Sequence, residues 1–433
     1  MNELEQLNSE GREQRLRVLA RMMNEHENLV EFTDEVNNHV HTFYSFSPYS
    51  PTAAAWMARA AGLRAVGSVD HDSISAAEEM IAACKIVGIA STVGCEVRVN
   101  FTGTRVEGRK INNPDSPNLA YMVMHGIPRN RIPEVDAFLH PIREERNKRN
   151  KVETAAMSHL LVDRGGPQIS FDQVLSHSRI NDGGGVTERH ILYAASLALI
   201  KEFKKGKKLR KWLEEKVTGT LPEKLQGFLD DTKNPHYAYD LLGAMKGSFL
   251  TEFFVQPSER ECVHVSTAVD FANSINAIPA YAYLGDVGES PTGDKKAEEF
   301  EDSYLDELFE ELSALDYKAV TYMPPRNTLE QLKRVQSLCE KHELMEISGV
   351  DINSSRQSFH CEEILQPEFR HLITSTWALI AHEKLTSADP QYALFVEGNP
   401  SGASLKERVD AYAEVGRRID PRAPERAAEL IPK

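Results

Sequence analysis

Short apolar runs alternate with amphipathic stretches through most of this chain, and that rhythm leaves few folds open to it. From Glu35 to about Val162 it reads helix at Ala53–Ala61, strand at Ala65–Val69, helix at Ser75–Val87, and strands at Ile89–Val93 and Tyr121–Met124. Ile132–Leu161 follows as a broken helix carrying basic residues. The rhythm resumes with a helix at Ser266–Ile275, a strand at Ile278–Leu284, an acidic amphipathic helix at Lys296–Ala314 and a strand at Ala319–Met323. Helix Leu329–Lys341 and strand Leu344–Ile347 complete it. Strands separated by helices predict parallel βα units. If such strands close into a barrel, the residues just past their C-terminal ends share one face, where barrel enzymes assemble their sites.

The rhythm is interrupted once. Gly165-Gly166-Pro167 and Gly183-Gly184-Gly185 punctuate a mostly helical stretch that runs to about Glu261. The segments expected are a helical N-terminal extension (1–34, with 3–30 as one helix), a barrel first part (35–164), a helical insert (165–261), a barrel second part (262–361) and a helical C-terminal extension (362–433). With 41% apolar and 27% charged residues over 433 positions, the chain can bury a sizeable core. A net charge of −15 argues against general nucleic-acid or anionic-membrane binding, yet leaves room for a locally positive site. The five cysteines are odd in number, dispersed and never in a CxxC pair, which suits a reducing cytoplasm and supplies no thiolate zinc motif. The N-terminus has no apolar signal core, and no apolar run is long enough to span a bilayer, so a cytoplasmic protein is expected.

Metal-ligand residue types recur right after the apolar runs. They are His39-Val40-His41, Val69-Asp70-His71-Asp72, Gly94-Cys95-Glu96, His125 after Tyr121–Met124, and Asp351 in Gly349-Val350-Asp351. Side chains two apart on an extended segment point the same way, so His39 and His41 can grip one cation. Each feature alone has a plainer reading: two partly buried strand histidines, a capped turn at His71, an exposed edge at Glu96, a satisfied histidine at His125. In this order, each at a strand end, the plainer readings become collectively improbable. Nitrogen and oxygen donors on a stiff scaffold are what a hydrolytic metal site needs. The lysine-rich run Lys201–Lys216, with eight basic and three acidic residues, reads first as a solvated helix face.

These motifs together resemble the PHP (polymerase and histidinol phosphatase) domain family. The segments that carry the resemblance are Asn38-His39-Val40-His41-Thr42-Phe43-Tyr44-Ser45, Val69–Ser73, Gly94-Cys95-Glu96, Val123-Met124-His125-Gly126, Ile278–Tyr283 and Ser348–Asn353, with Thr187-Glu188-Arg189-His190 in the insert. The resemblance implies a distorted (β/α)7 TIM-like barrel that binds up to three divalent metals. His39, His41, Glu96 and Asp351 match the ligands of the first, Glu96 and His125 begin the second, and His71 matches a ligand of the third. Arg189 and His190 match an element that leans toward substrate. Three ligand positions depart from the pattern: Phe46, Tyr283 and Asn353 stand where an aspartate and two histidines are expected. The third site thus keeps only His71, the second needs Tyr283, Asp286 or water, and the first is intact.

The expectation is a metal-dependent phosphoesterase acting on a small phosphorylated substrate, with at least one divalent metal (Mn, Fe or Zn) and a second position open to another. A catalytically impaired ligand-binding relative and an amidohydrolase-type metal hydrolase remain open alternatives.

Overall fold

The computed structural model describes all residues except 1–2, 10, 27–28, 114–115, 287–300, 400, 403 and 431–433. Seven strands form one sheet in the order in which they occur along the chain. Two helices, α1 (Glu3–Leu7) and α2 (Arg12–Glu25), precede β1 (Val36–Val40). Then come α3 (Pro51–Ala60), β2 (Ala65–His71), α4 (Ala77–Val87), β3 (Ala90–Asn100), β4 (Leu119–His125) and α5 (Ile132–Asp163). Five helices follow: α6 (Phe171–Leu175), α7 (Glu188–Phe203), α8 (Lys207–Leu213), α9 (Glu223–Asp230) and α10 (Tyr237–Phe253). After α11 (Val265–Ser274) come β5 (Ile278–Ala282), α12 (Leu305–Ala314), β6 (Ala319–Tyr322), α13 (Leu329–Lys341) and β7 (Met345–Ser348). The chain ends with α14 (Arg370–Ala388) and α15 (Leu405–Arg418).

The sheet closes on itself through the segment after β7. His41 N donates to Ile352 O at 3.0 Å and Ile352 N to His39 O at 3.2 Å. Asparagine side chains add rungs: Asn37 Nδ2 donates to Val350 O and Asn38 Nδ2 to Ser348 O, both at 3.0 Å. Gly349 is required at this seam, because a Cβ there would sit 2.4 Å from His39 Cβ. The result is a distorted α/β barrel of the TIM-like kind.

One strand breaks the parallel expectation. β4 runs antiparallel to both β3 and β5, while every other neighbouring pair is parallel. Among the described residues between β3 and β4 there is no helix to carry the chain back across the barrel, so the strand returns in the opposite sense. Its C-terminal residue, His125, therefore pairs with Ile278 at the start of β5, not with the ends of the other strands.

Two helices also differ from the periodicity reading. α5 is unbroken over 32 residues although Pro141 lies inside it. Proline removes one helical hydrogen bond, but packing along both halves outweighs that loss. Val135, Leu139 and Ile142 enter the barrel's hydrophobic cluster, whereas Met157 and Leu161 enter a second cluster built from α6 to α10. At the N-terminus the single expected helix is two, parted before Gly11, whose φ is 86°. The acidic helix begins at Leu305; its predicted start, 296–300, lies outside the described residues. α14 belongs to the barrel's core, with Leu372, Ala378, Leu379 and Ile380 in the same cluster as β3 to β7. It packs against the barrel near the start of β5: Glu383 accepts from Val93 N at 2.7 Å, and His382 bonds Asn276 O at 3.0 Å.

Candidate metal centre

The end of β1 and the first residue after it deliver His39 and His41 to one face, with ring centroids 5.2 Å apart. Asn37 Oδ1 accepts from His39 N at 2.9 Å, which fixes the bend where β1 leaves regular pairing. β3 brings Glu96 opposite: its Oε1 lies 3.9 Å from His39 Nε2, and its Oε2 lies 2.8 Å from His71 Nδ1. Donor atoms of His39, His41 and Glu96 all lie within 4.8 Å of one another. Asp351, just past β7, completes the quartet, with Oδ1 3.3 Å from His41 Nε2. Three stretches far apart in sequence thus meet here.

The electrostatics suit a cation. Burial pushes the His41 imidazole down to about 3, so at neutral pH it is the unprotonated form that binds metals. Burial would raise the Glu96 carboxyl, but the imidazoles of His71, His39 and His41 outweigh it and hold it at about 2. Enclosure by the cavity walls likewise pulls Asp351 up, and His41, His39 and Arg189 overcome it and lower it. About a third of the Asp351 side chain still meets cavity water. A neutral His41 imidazole beside ionised carboxylates belongs to the donor chemistry of a divalent site.

Behind the quartet stands a layer of hydrogen bonds. Asp70 is buried and accepts from Thr42 N (2.7 Å), Thr42 Oγ1 (2.6 Å) and Ser45 Oγ (2.6 Å). Ser45 Oγ in turn lies 3.4 Å from His41 Nδ1, leaving Nε2 directed at Asp351. Asn353 Nδ2 donates to Asp351 Oδ1 at 2.7 Å, and Gln357 Nε2 holds the Asp351 carbonyl at 2.6 Å. Such partners set the orientation of ligands and are half of a metal site's construction.

His125 occupies a different level from the one expected. Val123 pairs with Glu96, so the alternation of side chains puts His125 on the same inner face, deeper in the barrel. Gly94 lets the two strands approach here, since a Cβ there would lie 2.7 Å from Met124 O. The imidazole is buried, pushed down to about 3 by that burial, and it feels His39 and Glu96. Its Nε2 has no hydrogen-bond partner among the described residues. An orphaned, neutral nitrogen below a carboxylate fits a second, less complete ion position.

A cavity of about 250 Å³ adjoins the quartet, lined by His39, His71, Glu96 and Asp351 from the barrel and by Glu188, Arg189, Leu192, Leu250 and Phe254 from the helical region. His71 stacks on His41 at 4.6 Å and stands over Glu96. Arg189 reaches the cavity with its guanidinium 6.0 Å from the Phe46 ring, and it has no ion pair or hydrogen bond among the described residues. His190 sits elsewhere: it is buried behind the wall, and its Nδ1 accepts from Thr187 N at 3.0 Å as part of a helix cap.

Each departing position has other work. Phe46 packs edge-on to His190 at 5.0 Å and beside Tyr193 and Tyr239, which pins the loop after β1 to the helical region. Tyr283 donates its hydroxyl to Asp302 at 2.6 Å, and Asn353 holds Asp351. Arg356 pairs with Asp240 at 2.6 Å, joining the Asp351 loop to α10.

Sequence reasoning placed Asp70 and Ser45 within its motifs but gave them no role, and it missed a buried lattice of Arg98, Arg146 and Arg149 with Glu188 and Glu261. The signal was present: Arg143, Arg146 and Arg149 recur at three-residue spacing on one face of α5, just after the core residues Val135, Leu139 and Ile142.

No family model matches this chain, and no curated protein matches it in sequence. Two solved structures overlap it, each with a TM-score of 0.49. One, from Bifidobacterium adolescentis, is provisionally assigned as a metal-dependent phosphoesterase; it is 14% identical, over 76% of this chain and 94% of its own. The other is an amidohydrolase from Chromobacterium violaceum with bound sulfate and no metal; it is 17% identical, over 78% of this chain and 95% of its own. Overlaps this loose leave the reading of the site to its own geometry.

Proposed function

We propose that this chain is a metal-dependent hydrolase of the PHP type that cleaves a small phosphoester. The observation that carries the reading is the convergence of His39, His41, Glu96 and Asp351 beside a cavity whose helical wall presents Arg189. These four residues would hold a first divalent ion (Mn, Fe or Zn), and Glu96 with His125 would begin a second. An ion so held supplies Lewis acidity, bringing hydroxide within reach near neutral pH and offsetting phosphoryl charge.

The protein's own residues do the rest. Asp70 through Ser45 keeps His41 aimed inward. Asn353 and Gln357 keep Asp351 in place. Arg189 offers a planar guanidinium suited to two phosphoryl oxygens at once, which favours a phosphate over an amide. The cavity volume suits a small ester in preference to a nucleic-acid chain. Five buried, unpaired cysteines support a cytoplasmic setting, and among the described residues no helix is long and apolar enough to cross a membrane.

The test is elemental analysis of tag-free protein, followed by turnover on panels of phosphate esters and amides. About one metal per chain is expected, with phosphoester hydrolysis that falls on the order of 100-fold in Arg189→Ala. Amide turnover without phosphate turnover by metal-loaded protein would replace this reading with the amidohydrolase one. Ligand-induced thermal shifts without any product would leave a binding protein.

A further inference from the structure

Arg189 is presented to the cavity by the first turn of α7, and the residue before it ties that turn to the barrel. Glu188 Oε1 receives Arg149 Nη2 at 2.6 Å and lies 3.6 Å from Arg98 Nη1. Both arginines also bind Glu261, Arg98 through Nη2 at 2.6 Å and Arg149 through Nε at 2.7 Å. β3 and α5 thus hold a fixed pair of guanidiniums, and the helical region reaches into it with one carboxylate. Burial would raise Glu188, but Arg98, Arg149 and Arg146 overcome it and keep the group ionised. Neighbouring residues on a helix project about 100° apart, so anchoring Glu188 sets the rotation of the turn and hence where Arg189 points. The backbone beside it is tied as well: Asn150 Nδ2 donates to Val186 O at 2.8 Å and Gly185 N to Tyr44 O at 2.6 Å.

We infer that Glu188 is a positioning residue for substrate binding: clamped by Arg149 and Arg98, it holds the Arg189 guanidinium beside the quartet, where the phosphoryl group of the substrate is gripped. The inference rests on the phosphoester reading above. Without the clamp, Arg189 on its three-carbon stem has no described polar partner to fix it, so the cost of ordering it falls on substrate binding.

A purely structural ion pair makes a different prediction, and Glu153 supplies the comparison. It binds the same Arg149, at 2.5 Å, from within α5 and accepts from Val255 N at 2.9 Å; it feels the charge of Glu188, but among the described residues no hydrogen bond or ion pair joins it to α7's first turn. The experiment is a double-mutant cycle of Glu188→Gln and Arg189→Ala in metal-loaded protein. It is read as the dissociation constant of inorganic phosphate by calorimetry, and as KM and kcat on para-nitrophenyl phosphate. Glu188→Gln should weaken phosphate about tenfold and raise KM similarly with kcat within about threefold, and the double variant should be no worse than Arg189→Ala alone. Glu188→Asp, which keeps the charge on a shorter stem, should fall between wild type and Glu188→Gln. Glu153→Gln should lower the thermal midpoint yet leave phosphate affinity within about twofold.

Additive losses in the cycle, an unchanged Glu188→Gln, or an equal loss in Glu153→Gln would each overturn the assignment. Should wild-type protein carry metal but neither bind nor hydrolyse phosphate, the phosphoester reading fails and takes this one with it. An additive cycle in a wild type that does bind phosphate removes this inference alone.

Discussion

Two buried carboxylates on the rim of this barrel, Glu96 and Glu301, are displaced in opposite directions. Burial pushes both upward. Glu96 nevertheless ends at about 2, because three imidazoles stand beside it. Glu301 ends at about 7: its partners are the Tyr281 hydroxyl and the amides of Leu284 and Gly285, and Asp302 adds like charge. The β1–β3 side of the rim is therefore furnished for a cation, whereas the β5 side is furnished for a proton. An ion arriving at Glu96 meets a ready anion; one arriving near Glu301 would have to displace hydrogen bonds that are already made. That asymmetry is the physical content of Tyr283 standing where a metal histidine is expected, since its hydroxyl belongs to the proton-holding side through Asp302.

The sharpest way to break the comparison is to strip a donor from each side. His39→Ala or His41→Ala should cut bound metal from about one per chain to under a tenth and abolish turnover, because deleting one of four donors removes a large share of the binding free energy and opens the site to water. Tyr283→Phe should keep its metal and lose about 1 kcal/mol of stability with the Asp302 bond. Elemental analysis beside thermal unfolding reads both. If Tyr283→Phe loses the metal instead, the rim is not divided in this way.

A smaller effect is expected at Asn353. Its amide holds Asp351 Oδ1 without touching the other donors among the described contacts. Asn353→Ala should weaken the metal about tenfold by calorimetry while barely moving the unfolding temperature. Undiminished affinity would show that Gln357 alone is enough to set Asp351.

How much of this was legible in the sequence follows from the reach of each interaction. Period-two and period-3.6 patterns are local, so six of the seven strands and the major helices fall close to where apolar runs place them. That His39, His41, Glu96 and Asp351 lie near one another was legible too, from their strand-end positions together with the ordered motifs that carry the family resemblance. The direction of β4 was not: it depends on whether a helix intervenes before it, and His125 went to the wrong level for that reason. Pro141 suggested a break that tertiary packing at both ends of α5 overrides. The fates of Phe46 and Tyr283 were out of reach, since their partners Tyr239 and Asp302 are chosen by the fold and not by spacing, whereas Asn353 bonds Asp351 only two residues away.

The proton-holding side offers the gentlest test. The folded-state pKa of Glu301 is about 7 against an ordinary 4.5, so between those values the native state keeps a proton that the unfolded chain has released. Native proton excess means that stability falls as pH rises through that window, by on the order of 3 kcal/mol at most, and levels off above it. Glu301→Gln removes the titration while keeping an acceptor for the Leu284 and Gly285 amides. Urea unfolding from pH 5 to 8 should therefore show wild type losing ground to the variant as pH climbs, the two curves converging or crossing near neutrality. Parallel curves would mean that the β5 rim carries no titrating proton, and the contrast with Glu96 would reduce to the imidazoles alone.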